Sequence, residues 1–104
     1  MAVEVRIPTI LRSYTDGAKA VDGAGSSLIE LIDDLEAHHP GLKGRLVENG
    51  DLRRFVNVYV NDEDVRFTGG LETAVKDGDQ VVVLPAVAGF LFALYLALME
   101  TAAA

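Results

Sequence analysis

Residues 77–89, read as DGDQVVVLPAVAG, constrain the fold of this chain more than any other stretch. Asp77-Gly78-Asp79 is a turn, because Asp and Gly tolerate bridge and left-handed backbone angles. After Gln80, residues 81–84 are apolar and mostly β-branched. That is the composition of a strand covered on both faces, and so of a central strand. Pro85 has no N–H to give to a ladder and should close it. Residues 86–89 are small and uncharged. A central strand that runs straight into a thin tail can present that tail to another protein's active site.

The elements before it follow from periodicity. Val3, Val5 and Ile7 alternate with Glu4 and Arg6, which predicts a half-buried strand closed by Pro8. Asp16-Gly17 predicts a turn, and Lys19-Ala20-Val21 a short strand antiparallel to the first. Gly23-Ala24-Gly25 reads as a break. Ser27 and Glu30 have capping-box spacing: the Ser oxygen takes the free Glu30 N–H and the carboxylate reaches back. Leu28, Leu31, Ile32 and Leu35 then recur at helical spacing, with acidic residues mainly off that stripe. The spacing predicts an amphipathic helix over residues 28–38, stopped by Pro40-Gly41. Residues 42–47 suit a second short helical piece, and residues 48–52 a polar loop. Across residues 55–60, Val56, Val58 and Val60 fall on one face and Phe55, Asn57 and Tyr59 on the other. Asn61-Asp62 turns the chain into a short return strand over residues 64–67. Gly69-Gly70 ends it, and residues 71–75 suit one helical turn.

This order, β-β-α-β-β-turn-β in 104 residues, predicts one α+β domain of the β-grasp (ubiquitin-like) type. It has a mixed sheet and one main helix, with right-handed crossover of any parallel pair. One helix covers one face only. Phe55, Asn57 and Tyr59 therefore form either a covered minor core or an exposed patch of the kind that serves interaction.

The same residues exclude much chemistry. There is no Cys, hence no disulfide, thiolate metal site or Cys nucleophile. The net charge of −7 disfavours nucleic-acid binding and suits a solvated acidic surface or a basic partner. His38 and His39 are adjacent, so on a helix they diverge by about 100° and chelate poorly; the helix dipole is the simpler reason for them. Asp62, Glu63 and Asp64 lack EF-hand spacing, and the glycine pairs lack the features of phosphate loops. No catalytic constellation is visible, and no metal site. The N-terminus lacks the basic and apolar regions of a secretory signal, which predicts a cytoplasmic protein.

The DGD turn, apolar strand, Pro and small-residue tail together resemble the ubiquitin-like sulfur-carrier proteins, from Val3 to Gly89. Residues 7–12, IPTILR, and 54–67, RFVNVYVNDEDVRF, resemble the branch that supplies sulfur for cysteine biosynthesis. The molybdopterin and thiamine branches share mainly the strand and tail. The resemblance implies a protein carrier rather than an enzyme, with no bound cofactor. Its tail, Val87, Ala88 and Gly89, would be adenylated by an E1-like enzyme at the expense of ATP and converted to a thiocarboxylate. It further implies a pyridoxal-phosphate cysteine synthase and a zinc metalloprotease as partners. A partner-binding surface would comprise Phe55, Asn57, Tyr59, Leu84 and Pro85. Two other readings fit: the small subunit of a molybdopterin-synthase-type enzyme, and a non-conjugating β-grasp interaction domain.

The family's last Gly is replaced here by Phe90, so the expected domain is 1–89, followed by an apolar extension at 90–104. Residues 86–99 carry no charge. As a helix they would span about 21 Å, against roughly 20 residues needed to cross a bilayer, which argues against a membrane anchor. A removable pro-segment, a docking helix and a vector-derived scar all fit the extension.

Overall fold

A computed structural model of the chain describes residues 2–85. Its strands are β1 (Val3–Arg6), β2 (Ala20–Gly23), β3 (Val47–Glu48), β4 (Asp51–Leu52), β5 (Val56–Val60), β6 (Glu63–Asp64) and β7 (Gln80–Pro85). Its helices are α1 (Leu28–His38) and α2 (Leu42–Leu46), with 3-10 turns at Thr9–Thr15, Val65–Phe67 and Gly70–Glu72. Five strands form one mixed sheet in the order β2-β1-β7-β5-β6. The expected β-grasp arrangement is the one adopted. β7 lies at its centre, parallel to β1 and antiparallel to β5.

The helix forms where the spacing placed it. Ser27 caps it by accepting the Glu30 N–H at 3.4 Å, and Leu28, Leu31, Ile32 and Leu35 are its buried residues. The capping box is shifted, however: Glu30 Oε1 accepts from the Ser26 N–H and hydroxyl, at 3.3 and 3.0 Å. The buried stripe packs on Val3, Val5, Val58, Val81 and Val83 from the sheet. Each such side chain contributes about 1.5–3 kcal/mol by leaving water. Gly23 belongs to β2 rather than to a break. It is buried, and a Cβ there would lie 2.6 Å from Leu31 Cδ1, so its missing side chain lets α1 seat closely.

Four further expectations are corrected. Gln80 to Leu84 is central but is covered on one face only: Val81 and Val83 are buried, whereas Leu84 is 45% exposed. Among the described residues the single helical layer has no counterpart on the other side. Residues 48–52 are not a polar loop. β3 and β4 pair around Asn49-Gly50, whose φ values of 53° and 78° suit a tight hairpin turn. Residues 64–67 do not continue as a strand; the Asp64 carboxylate accepts the Arg66 N–H at 2.9 Å and starts a 3-10 turn. Phe55 lies in the turn before β5, not in the strand.

The start of β7 is pinned by Asp79 and Asn61. Asn61 Nδ2 donates to Asp79 Oδ1 at 2.9 Å, and the Lys76 N–H donates to Asp79 Oδ2 at 2.9 Å. Gln80 N–H donates to Asn61 Oδ1 at 3.0 Å, and Asn61 N–H to the Gln80 carbonyl at 2.9 Å. The Asn61 amide and the Lys76 N–H hold the Asp79 carboxyl below the ordinary aspartate range, against the opposing effect of burial. We expect Asp79→Ala to destabilise the fold by about 1.5–3 kcal/mol, since charge-assisted bonds are lost and donors orphaned. The folded pKa is lowered, so this contribution is complete above about pH 5 and vanishes as pH falls through the folded value. Urea unfolding of both proteins from pH 7 down to 3 should show the difference shrinking only in acid.

Candidate functional site

Backbone pairing assigns the two faces of the sheet, because directly opposed residues share a face. Val58 opposes Val83, and Val60 opposes Val81, on the helix side. On the open side Asn57 opposes Leu84, and Tyr59 opposes Val82, which in turn lies beside Arg6 of β1. The expected faces of residues 56–60 are therefore the observed ones: the three valines are buried and Asn57 and Tyr59 are half-buried.

The expected patch is not one surface. Phe55, Leu84 and Pro85 come together at the end of β7, where they line a groove of about 700 Å³ with Pro8, Ile10 and Leu11. Ile10 is 66% exposed, Phe55 50% and Leu84 45%. Among the described residues the remaining large exposed apolar side chain is Phe67, which does not line the groove. Arg45, Arg53 and Arg54 stand around the groove with one acid, Glu48. In a chain of net charge −7, this is a locally basic rim. Arg53 Nη1 pairs with Glu48 at 3.4 Å, and its Nε donates to the Gly44 carbonyl at 2.9 Å.

Asn57 and Tyr59 lie further back, beside the groove rather than in it. Asn57 is also occupied: its Oδ1 accepts from Arg66 Nη1. Arg66 Nη2 donates to the carbonyls of Val56 at 2.6 Å and Arg53 at 3.3 Å. The guanidinium thus clamps the turn that carries Phe55. Val87, Ala88 and Gly89, and the extension after them, lie outside the described residues. What the described site offers is an apolar, basic-rimmed groove from which the chain leaves the sheet. It contains no pair of titratable groups arranged for proton transfer.

Sequence reasoning missed Ile10, the basic rim and the Arg66 clamp. Ile10 sits in the 3-10 turn Thr9–Thr15, for which no periodic signal exists. The clamp depends on Arg66 meeting carbonyls ten or more residues away, which local spacing does not report.

A small β-grasp domain whose central strand carries the chain out past an exposed apolar groove belongs to the ubiquitin-like class. Within that class the chain is a member of the ThiS family, which it matches over residues 5–89. It is 58% identical over 92 residues to the sulfur carrier protein CysO of Mycobacterium tuberculosis, covering 86% of this chain and 99% of that one. The crystal structure of that organism's CysO superposes with a TM-score of 0.80 at 57% identity, covering 82% of this chain and 99% of the other. The BexX/CysO complex of Amycolatopsis orientalis contains a chain that matches with a TM-score of 0.82 at 61% identity, covering 85% of this chain and 99% of that one. No helix among the described residues is long and apolar enough to cross a membrane.

The two faces should respond differently to truncation. Val58→Ala, at a position 1% exposed, is expected to cost about 2 kcal/mol through lost burial and a cavity. Phe55→Ala should cost less than about 1 kcal/mol, because half of its surface already meets water. Chemical denaturation of the two variants checks this ordering.

Proposed function

We propose that this protein is a sulfur carrier for cysteine biosynthesis, with Gly89 as the residue that bears the sulfur. The observation that carries this reading is the central strand β7. It ends at Pro85 and is followed by a small, uncharged run to Gly89, in a chain 58% identical to a sulfur carrier protein. A carboxylate is a poor electrophile. Its oxygen must first attack the α-phosphorus of ATP, releasing pyrophosphate and leaving an acyl-adenylate. Hydrosulfide then adds to the acyl carbon and displaces AMP, leaving a thiocarboxylate. Gly suits the reacting position, because a missing Cβ lets enzymes approach the carbonyl from either side. The catalytic groups for the first two steps belong to an E1-like adenylyltransferase, and a pyridoxal-phosphate cysteine synthase then joins the tail's sulfur to an activated three-carbon amino acid, expelling that substrate's leaving group and leaving cysteine attached to the Gly89 acyl group. A zinc metalloprotease can then release the cysteine from the tail. That a CysO has been crystallised with BexX supports a mode of action through protein partners, and the carrier itself is not a catalyst. The cytoplasm, where ATP is available, is the compartment this cycle requires.

Partner recognition falls to Phe55, Leu84 and Pro85, with Asn57 and Tyr59 beside them. Aromatic and apolar anchors at a groove are the usual energetic centre of an interface. Phe55→Ala combined with Leu84→Ala should weaken binding to the activating enzyme by about 2 kcal/mol or more, measured by calorimetry, with little loss of stability. Tyr59→Ala should do less, because its side chain lies outside the groove.

In the chain as it stands, the Gly89 carbonyl is tied to Phe90 in a peptide bond, so Gly89 has no carboxylate to activate. We expect chains ending at Gly89, or at Gly89 plus one added Gly, to gain ATP-dependent thiocarboxylate, with the added Gly giving the better substrate. The 104-residue chain should stay inert. Mass spectrometry after incubation with the cognate E1-like enzyme, ATP and sulfide reads the exchange of one oxygen for sulfur. Inertness of all three forms would favour a non-conjugating interaction domain, and a thiocarboxylate at Ala104 would move the reacting residue.

A further inference from the structure

The groove at the end of β7 differs in charge from the molecule around it. Its charged lining residues, Arg45, Arg53, Arg54 and Glu48, sum to +2 in a chain of −7. The rest of the chain is therefore more acidic than the whole. Other cations are engaged within the fold: Arg6 with Glu4, Lys43 with Asp33, and Arg66 with the carbonyls around Phe55. At the groove, Arg53 is held by Glu48 and the Gly44 carbonyl. Arg45 and Arg54 are exposed, and among the described residues no carboxylate or carbonyl accepts from their side chains. Two uncompensated guanidiniums thus share one groove with Ile10, Phe55 and Leu84, apolar side chains that are themselves about half-exposed or more.

From these observations we infer that the groove docks a segment of a partner protein in which large apolar side chains are flanked by aspartate or glutamate. The apolar side chains cover Ile10, Phe55 and Leu84, and the carboxylates accept from Arg45 and Arg54, whose planar forks suit bidentate pairing. Net charge alone suits a basic partner; the groove reverses that locally. An acidic partner surface is repelled by most of this molecule and attracted at one place, so the field orients the encounter. Pro85, the last residue of β7, lines that place. A partner oriented in this way arrives where the chain leaves the sheet. A nucleic-acid backbone has charge for the arginines but nothing to cover three apolar anchors, and it would meet the acidic remainder. The inference deepens the proposed partner recognition and rests on that reading for its use in sulfur transfer. Docking itself needs neither ATP nor sulfide.

Two short peptides test it on the full chain, methyl-labelled at Ile, Leu and Val. One carries a Leu-Phe pair flanked by glutamates, and the other has lysines in place of the glutamates. The acidic peptide is expected to shift the Ile10 and Leu84 methyl resonances and to bind about tenfold more tightly than the basic one at low salt. That advantage should shrink toward about 1 M salt, where the Debye length falls to about 3 Å. Arg45→Gln combined with Arg54→Gln should remove it. Lys19→Gln combined with Lys76→Gln changes the net charge equally but away from the groove, and should keep it. Unchanged Leu31 and Ile32 methyl shifts verify that both variants keep the core; should either variant unfold, the two peptides and the salt series on the parent chain still decide. Absent shifts at Ile10 and Leu84, shifts centred on Val65 beside Phe67, or equal affinity for the two peptides each overturn the inference. So does an acidic preference that survives the arginine variant, or one that the lysine variant loses as well. The carrier reading fails separately: it is tested by thiocarboxylate on a chain ending at Gly89, which neither peptide result can supply or remove.

Discussion

The two-sided hydrogen bonding of β7 is the constraint on which the rest of the molecule depends. The strand joins β1 in parallel and β5 in antiparallel register, so both edges of its backbone are paired. A parallel partner cannot be reached by a hairpin and requires a crossover. The chain between β1 and β7 supplies it, and α1 within it brings the buried leucines onto Val81 and Val83. The Asp79–Asn61 bonds fix where the strand begins, and Pro85 is its last residue. Its exit point is thereby held at the middle of the sheet rather than at a fraying edge.

Among the described residues, a single helical layer on a five-stranded sheet leaves one face without cover. That face mixes polar and apolar residues, with Arg6, Val82 and Tyr59 in one cross-strand row. The apolar surplus collects instead at the end of β7, where the 3-10 turn after β1 and the turn before β5 bring Ile10 and Phe55 beside Leu84. Arg66 makes this durable: by bonding backbone carbonyls on both sides of Phe55 it fixes the aromatic ring's base without covering its surface. Rigid support beneath an exposed anchor limits the ordering cost of binding.

The Asn57 side chain illustrates how a surface expectation changes once partners are known. Alternation alone makes it an open-face polar residue available to a ligand. In the fold, its oxygen accepts from Arg66, so it acts through the turn that it helps to hold. Glu36 is a similar case, since it accepts from the N–H groups of Gly41 at 2.9 Å and Lys43 at 2.8 Å and joins α1 to α2. Those two N–H groups hold its carboxyl below the ordinary range.

The sequence by itself determined what depends on near neighbours. The Ser27 cap and the leucine spacing of α1, the valine alternation of β5, the Asp77-Gly78-Asp79 turn and the order of elements are local or periodic properties, which follow from 3.6-residue and two-residue repeats. They were enough for the β-grasp arrangement and for the resemblance to sulfur carriers. Residues 49–50 carry an Asn-Gly hairpin signal as well, which the expectation of a polar loop at 48–52 overlooked. Tertiary structure alone decided that Ile10, Arg45, Phe55 and Leu84 share one groove, that Tyr59 stands outside it, and that Arg66 clamps its wall. The physical reason is sequence separation: these contacts are set by strand register and by the path of irregular turns, and neither leaves a period in the chain.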